Sequence, residues 1–141
     1  MNDESRLISS ESKFMYSMVG DPIAWCRAGL GNGRFYDKQK HEKLVWGITI
    51  SQQHGDRPMF VKPLHLNATF YFRIPKTHYK KRDEMMATPM SYTPDLDNLL
   101  KFICDCCSGV LYKDDAIVSS VSSRKIWNDI AKTEFSFTEM D

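Results

Sequence analysis

Four carboxylates flank one short segment of the chain. Asp95 and Asp97 begin the segment, and Asp114 and Asp115 follow a turn at residues 109–112. If the segment is a helix, rising about 1.5 Å per residue, and the chain then returns as a strand, its two ends come together. Converging carboxylates repel one another unless a cation lies between them, and oxygen ligands suit Mg²⁺ or Mn²⁺. The spacing therefore indicates a divalent-metal site at which an activated water attacks a phosphodiester.

Ordinary structural roles for the same residues stay open when spacing alone is considered. Lys101 lies four residues after Asp97, so the two side chains could form an exposed ion pair worth about 0.3–0.5 kcal/mol. Asp95 could serve only as a helix cap. In the metal-site interpretation, Lys101 instead neutralises the phosphate or the leaving group.

A basic segment precedes the acidic one. Residues 57–82 carry seven bases and no acids, whereas residues 83–115 carry two bases and seven acids. The formal net charge of +1 is thus a cancellation between adjoining segments, and it does not exclude a nucleic-acid partner. Cations in the basic segment would bind phosphates that flank a cleaved one, although taken alone the run is equally explained as a solvated loop. Its members between 73 and 82 are Arg73, Lys76, Lys80, Lys81 and Arg82.

The hydrophobic pattern predicts the elements that position these side chains. We expect strands at 15–25, 62–74, 115–126 and 133–139, and helices at 37–53 and 96–107. The first strand should be interrupted near 20–22, and three glycines indicate a flexible loop at 29–33. Residues 75–94, which contain three prolines, are predicted to be a long exposed loop with a short helical turn near 83–87.

Apolar residues on one side of each element predict the core. Asp37 is expected to cap the first helix. The apolar stripe of that helix is Leu44, Val45 and Ile48, and the stripe of the second helix is Leu99, Leu100, Ile103, Cys106 and Cys107. The order of elements predicts an α/β (α+β) fold, in which one small domain at 14–141 packs two main helices on a mixed sheet. Residues 1–13 are polar and are expected to form a flexible N-terminal arm.

The cysteines are interpreted as reduced thiols. Three of the four crowd into positions 104–107, which is a poor layout for disulfides. The sequence shows neither a secretory signal peptide nor an apolar stretch of about 18 residues that would span a membrane. A zinc site would need two paired ligand clusters, so small apolar side chains on a helix explain Cys104, Cys106 and Cys107 better.

Taken together, the motifs resemble one known family. Residues 94–101 read PDLDNLLK, Asp105 follows in the same helix, and residues 109–118 read GVLYKDDAIV. This order is similar to the RusA-type Holliday junction resolvases, whose pattern is approximately P-D-x-D-N-L-x-K and then G-x-x-Y/W-x-D-D-x-x-I/V, with a later basic residue like Lys125. A weaker similarity in residues 20–37, which include Arg27 and Arg34, extends the resemblance to about residues 18–139.

The resemblance implies a homodimeric, Mg²⁺-dependent endonuclease that makes paired symmetric nicks in four-way DNA junctions. The family's three essential aspartates fall on Asp95, Asp97 and Asp115, its essential lysine falls on Lys101, and Asp114 matches a less critical acid. Mn²⁺ is a possible substitute for the metal. Two departures affect DNA contacts: residues 92–93 are Tyr-Thr where many members have a base, and the loop at 25–30 is less basic. The expected DNA contacts are Arg27, Arg34, Arg73, Lys76, Lys80, Lys81, Arg82 and Lys125.

Two other functions compete with a junction-resolving nuclease. A catalytically inactive protein of the same fold would bind branched DNA without cleaving it. A sugar-nucleotide transferase that uses Asp-x-Asp for a metal would need a nucleotide-binding βαβ unit, of which the sequence gives no sign. For the nuclease we expect a cytoplasmic or nucleoid-associated protein without a membrane partner, encoded by a phage, virus or plasmid.

Overall fold

A four-stranded sheet organises the chain. The computed structural model describes residues 13–31 and 33–141. Its strands are β1 (Lys13–Val19), β2 (Gly29–Gly31), β3 (Arg34–Tyr36), β4 (Leu64–Arg73), β5 (Val118–Asn128) and β6 (Lys132–Glu139). Its helices are α1 (Lys40–His54), α2 (Arg82–Met85) and α3 (Leu96–Cys107), and 3₁₀ helices span Lys76–Lys81 and Asp115–Ile117. The predicted arm at 1–13 lies outside the described residues, except that Lys13 begins β1.

The strand order of the main sheet is β1-β6-β4-β5. Strand β6 runs antiparallel to both β1 and β4, whereas β4 and β5 are parallel. A parallel pair requires a crossover connection, and α3 lies in that connection. Helices α1 and α3 pack against each other, and they also contact β1 and β5 respectively. The predicted single domain, with a mixed sheet and two main helices, is therefore confirmed.

The buried faces of β4 and α3 follow the predicted patterns, except that α3 buries Phe102 and leaves Leu100 only partly buried. Leu64, Leu66, Ala68 and Phe70 alternate along β4 and are buried. Helix α3 has the predicted bounds, and its buried residues are Leu99, Phe102, Ile103, Cys106 and Cys107. Edge-to-face packing of Phe102 on Trp46, with ring centroids 5.0 Å apart, joins α3 to α1. All four cysteines are free, and burial raises the pKa of the Cys106 thiol to about 12.

The predicted core stripe of α1 is wrong. Leu44 and Ile48 are 61% and 51% exposed, and Val45 is exposed as well. The buried residues are Trp46, Ile50 and His54, which recur every four positions. A pattern of apolar residues does not predict this stripe, because its last member is a histidine. Tyr16 donates a hydrogen bond to Nδ1 of His54 at 2.7 Å, and Nε2 of His54 donates to the Pro58 carbonyl at 3.0 Å. Because both ring nitrogens have partners, the imidazole can be buried.

Asp37 does not cap α1. The cap position is Gln39, which makes no side-chain capping bond. One oxygen of the Asp37 carboxylate accepts a hydrogen bond from the Gln39 amide at 2.8 Å, and the other binds the Lys43 ammonium at 2.9 Å. Asp37 therefore orders the residues before the helix.

The other differences concern segments predicted as strand or loop. Strand β1 ends at Val19, because Gly20 has φ 108° and leads into an irregular segment at 21–28. The predicted flexible glycine loop contains the antiparallel pair β2–β3, in which the Tyr36 ring packs so closely on Gly29 that a Cβ there would displace the ring. Residues 115–117 form a 3₁₀ turn and not the start of β5.

The predicted exposed loop at 75–94 is largely structured. Its first part forms the 3₁₀ helix at 76–81 and α2, close to the expected helical turn. Residues 87–90 then run along the outer edge of β5, where Ala87 donates to Trp127, Trp127 to Thr88, and Met90 to Lys125, each at 3.0 Å. These bonds satisfy backbone groups that an edge strand otherwise leaves open. Among the described residues, no helix is long and apolar enough to cross a membrane.

Candidate active site

Helix α3 begins with two exposed carboxylates. Asp95 is in the cap position with extended backbone angles of φ −72° and ψ 145°, but its side chain makes no capping hydrogen bond. Asp97, in the first turn, accepts a hydrogen bond from the Asn98 amide at 2.9 Å. The interpretation of Asp95 as a helix cap alone is therefore not supported.

Lys101 lies one turn further along α3 but does not pair with Asp97. No ion pair between these two side chains occurs in the structure, although the sequence spacing allows one. The Lys101 ammonium instead lies over the indole ring of Trp25, 3.6 Å from the ring centroid. At this distance the ring face attracts the cation. Sequence analysis missed Trp25, since no motif connects it with a lysine 76 positions later.

Asp114 and Asp115 occupy the turn before β5. The Asp114 side chain accepts a hydrogen bond from the Ala116 amide at 3.0 Å, and this bond lowers the pKa of Asp114. The pKa of Asp115 is raised, chiefly by burial of the carboxyl group. A hydrogen bond with Asp114 and the negative charge of Asp114 raise this pKa further. The charge of Asp105 raises that pKa further, whereas the charge of Lys101 lowers it. The returning chain therefore brings Asp115 within electrostatic range of Asp105 and Lys101 of α3, whereas the predicted approach to Asp95 and Asp97 stays a prediction.

The predicted metal ligands are not gathered into one coordination sphere. Across residues 13–31 and 33–141, no group of three His, Cys, Asp or Glu side chains could hold a metal ion. The donor chemistry nonetheless fits a hard divalent cation, because Asp95, Asp97, Asp114 and Asp115 are exposed oxygen ligands. The repulsion that Asp115 experiences from Asp114 and Asp105 is of the kind that a bound cation relieves.

The predicted DNA contacts occupy three exposed regions. Arg27 lies in the irregular segment after β1, and Arg34 begins β3. Arg73 ends β4, and the adjoining 3₁₀ helix presents Lys76, Lys80 and Lys81 to solvent. Arg82 differs from these residues, because its guanidinium binds both Asp83 and Asp129. Arg82 therefore fastens the start of α2 to the turn between β5 and β6.

Lys125 projects from β5 to the residues just before Asp95. Its ammonium donates hydrogen bonds to the Tyr92 carbonyl at 2.6 Å and to the Pro94 carbonyl at 2.8 Å. Two of its three N–H donors are thus used within the chain. Lys125, which lies on the sheet, therefore anchors the start of α3.

The fold and the exposed acidic residues define a small α+β protein with an acidic site at the start of one helix. The family model of the endodeoxyribonuclease RusA matches this chain over residues 24–136. The chain therefore belongs to the RusA endodeoxyribonuclease family, and the resemblance stated from the motifs is confirmed. Membership places it broadly among the endonucleases of the Holliday junction resolvase type. It is also similar to the uncharacterized protein YqaN of Bacillus subtilis (strain 168), with 24% identity over 136 residues, 89% of this chain and 95% of YqaN.

The Lys125 anchor can be tested by Lys125→Met. We expect the free energy of unfolding to fall by about 1–2 kcal/mol, because two hydrogen bonds to a charged donor are lost while the carbonyls regain water. Urea unfolding of both proteins measures the change. Lys62→Met, at an exposed lysine, is the matched control and should leave stability within about 0.5 kcal/mol. Equal stability of the two variants would contradict the anchor.

Proposed function

We propose that this protein is a Mg²⁺-dependent, structure-specific endodeoxyribonuclease that resolves Holliday junctions and related branched DNA by paired symmetric nicks. The observation that carries the proposal is the match of residues 24–136, which contain all four aspartates, to the family model of the endodeoxyribonuclease RusA. Asp95 does not cap its helix, and neither Asp95 nor Asp97 forms an ion pair within the described residues. Exposed carboxylates that form no ion pair remain available for a ligand.

Each residue of the site has a distinct role in this proposal. Asp95, Asp97 and Asp115 would bind the divalent cation, Mg²⁺ or in its place Mn²⁺, with Asp114 as a further oxygen ligand beside them. A cation bound there would activate water for attack on phosphorus and stabilise the departing 3′ oxygen. Lys101 supplies a positive charge to the reacting phosphate. Its field already reaches Asp115, so the ammonium and the carboxylate act on one region.

Binding of the DNA backbone falls to the basic residues. The exposed lysines at 76, 80 and 81 form a cationic surface on a single short helix, to which Arg73 adds another charge. Such a surface binds phosphates without reading sequence. We assign further contacts to Arg27 and Arg34, whereas the charges of Arg82 and Lys125 are already engaged within the protein. In this proposal the protein acts in the cytoplasm on nucleoid DNA and originates from a phage, virus or plasmid.

Paired nicks require two active sites, which a homodimer would supply. Leu44 and Ile48 lie on the outer face of α1 and line a groove of about 570 Å³ that Val110 closes on the other side. Apolar side chains grouped on the surface are typical of interfaces. A two-fold dimer buries the same patch of both subunits. We therefore expect a second copy of the chain to cover this face of α1.

Substitution of Asp97 by Asn tests the catalytic role. Asp97→Asn should lower the rate of Mg²⁺-dependent cleavage of a labelled four-way junction by at least about 100-fold, the upper range for perturbing a metal site indirectly. Junction affinity should be kept or increased, since a negative charge near phosphate is removed. The control Asp56→Asn changes an exposed aspartate after α1 and should cleave normally. Cleavage by Asp97→Asn at the normal rate would refute the mechanism.

The inactive binding protein is separated from the nuclease in the same assay. A wild-type chain that binds the junction but cuts it with neither Mg²⁺ nor Mn²⁺ would establish the alternative function.

Removal of three charges from the 3₁₀ helix tests the DNA surface. The triple variant Lys76→Gln, Lys80→Gln, Lys81→Gln should bind junction DNA more weakly. The slope of log affinity against log salt should become shallower by about 2–3, because each lost phosphate contact removes about 0.9. The control replaces Lys13, Lys38 and Lys40 by Gln and so removes equal charge elsewhere. Equal slopes for the two triple variants would exclude a specific DNA surface at 76–81.

Light scattering coupled to size-exclusion chromatography tests the dimer. The wild-type chain should have twice the mass of its 16.4 kDa protomer. Ile48→Glu should yield the monomer, because it places a charge in a buried interface. The control Val61→Glu changes a valine that is 85% exposed outside this face and should remain dimeric. A monomeric wild type, or a dimeric Ile48→Glu variant, would argue against this interface.

A further inference from the structure

The irregular segment after β1 is folded onto α3 through Trp25. The Trp25 amide donates a hydrogen bond to the Asn98 carbonyl at 2.9 Å, and the indole face lies beneath the Lys101 ammonium. One residue thus contacts two neighbouring turns of the helix that carries the acidic residues. The indole also packs against the hydrophobic core, so that the ring has a fixed support.

Gln39 holds the two peptide groups that flank Trp25. Its side-chain oxygen accepts a hydrogen bond from the Cys26 amide at 3.1 Å, and its side-chain nitrogen donates to the Ala24 carbonyl at 2.8 Å. The glutamine is 8% exposed, and both ends of its amide are satisfied. The position of Trp25 is therefore set by the start of α1 and does not depend on the contact with Lys101.

The Lys101 ammonium lies on the Trp25 ring and not on the Asp97 carboxylate. Asp97 precedes Lys101 by four positions, which is the favourable order for an ion pair on a helix. A lysine that closed onto Asp97 would neutralise a metal ligand and withdraw a charge from the phosphate. An ammonium on a ring face is held at least as strongly as in an exposed ion pair. The ring can therefore hold the ammonium on the indole face in preference to an ion pair with Asp97.

We propose that Trp25 is a positioning residue for Lys101. The indole ring holds the Lys101 ammonium where it can bind the phosphate, and it prevents the ammonium from forming an ion pair with the metal-binding carboxylates. The inference rests on the proposed nuclease function. It adds a residue from the N-terminal part of the chain, outside the acidic motifs, to the machinery that controls cleavage. Trp25 acts through Lys101 and is not assigned a contact with DNA.

Two substitutions separate the ring face from simple packing. Trp25→Phe keeps an aromatic face, whereas Trp25→Leu keeps an apolar side chain without one. We expect Trp25→Leu to lower the single-turnover cleavage rate by about tenfold and to raise the Mg²⁺ concentration for half-maximal rate, with junction affinity changed less than about twofold. Trp25→Phe should restore most of the rate. In a Lys101→Met background, Trp25→Leu should cause no further loss.

Nuclear magnetic resonance detects the contact without metal, DNA or activity. The ε-methylene signal of Lys101, assigned with Lys101→Arg, should be shifted upfield by the ring in the wild type and in Trp25→Phe, and should return to the position of exposed lysines in Trp25→Leu. An unshifted signal in the wild type would overturn the proposal, and so would cleavage by Trp25→Leu at the normal rate. A wild type that shows the shifted signal but cuts no junction would overturn the role in cleavage together with the nuclease function, while a cutting wild type without the shift would overturn the positioning role alone.

Discussion

The parallel pairing of β4 with β5 is the constraint on which the acidic site depends. Because parallel neighbours cannot be joined by a tight turn, the chain must cross from the end of β4 to the start of β5. The crossover contains both α3 and the turn with Asp114 and Asp115. The start of β5 therefore fixes Asp115 beside a helix whose buried face is packed on the same sheet. A site assembled in this way uses the hydrophobic core for its alignment and needs no rigid loop of its own.

Helix α3 separates packing from chemistry around its circumference. Leu99, Phe102 and Ile103 are fully buried, whereas Asp97 and Lys101 are exposed on the other side. The start of the helix is held from two directions, by the Lys125 ammonium on the preceding carbonyls and by the Trp25 amide on Asn98. None of these supports uses a side chain of the acidic motif. Within the part of the chain that the structure describes, the start of α3 is thus held without an ion pair to Asp95 or Asp97.

Sequence was most informative where one periodic pattern decided the structure. The stripe of α3 and the alternation of β4 each matched a single period, so these elements were predicted with nearly correct bounds. The predicted core stripe of α1 was wrong, because the burial of His54 depends on a hydrogen bond from Tyr16, which is 38 positions away in the sequence. The pairing of residues 87–90 with the edge of β5 was missed for a similar reason. Prolines and charges in this segment indicate a loop, and its backbone hydrogen bonds depend on the neighbouring strand β5.

The acidic motif was recognisable because its residues are close in sequence, but the contacts that control it are not. Spacing on α3 favours an ion pair between Asp97 and Lys101, and a local reading cannot show that Trp25 competes for the same ammonium. Similarly, Lys125 reads as one more DNA-binding base until its bonds to residues 92 and 94 are seen. Lys101 and Lys125 carry equal charges but make different contacts. Lys125 uses its charge on backbone carbonyls to fix the start of α3, whereas the ring face beneath Lys101 has no hydrogen-bond acceptor of comparable strength. The Lys101 ammonium therefore retains donors, and the proposed nuclease site requires such donors for a phosphate.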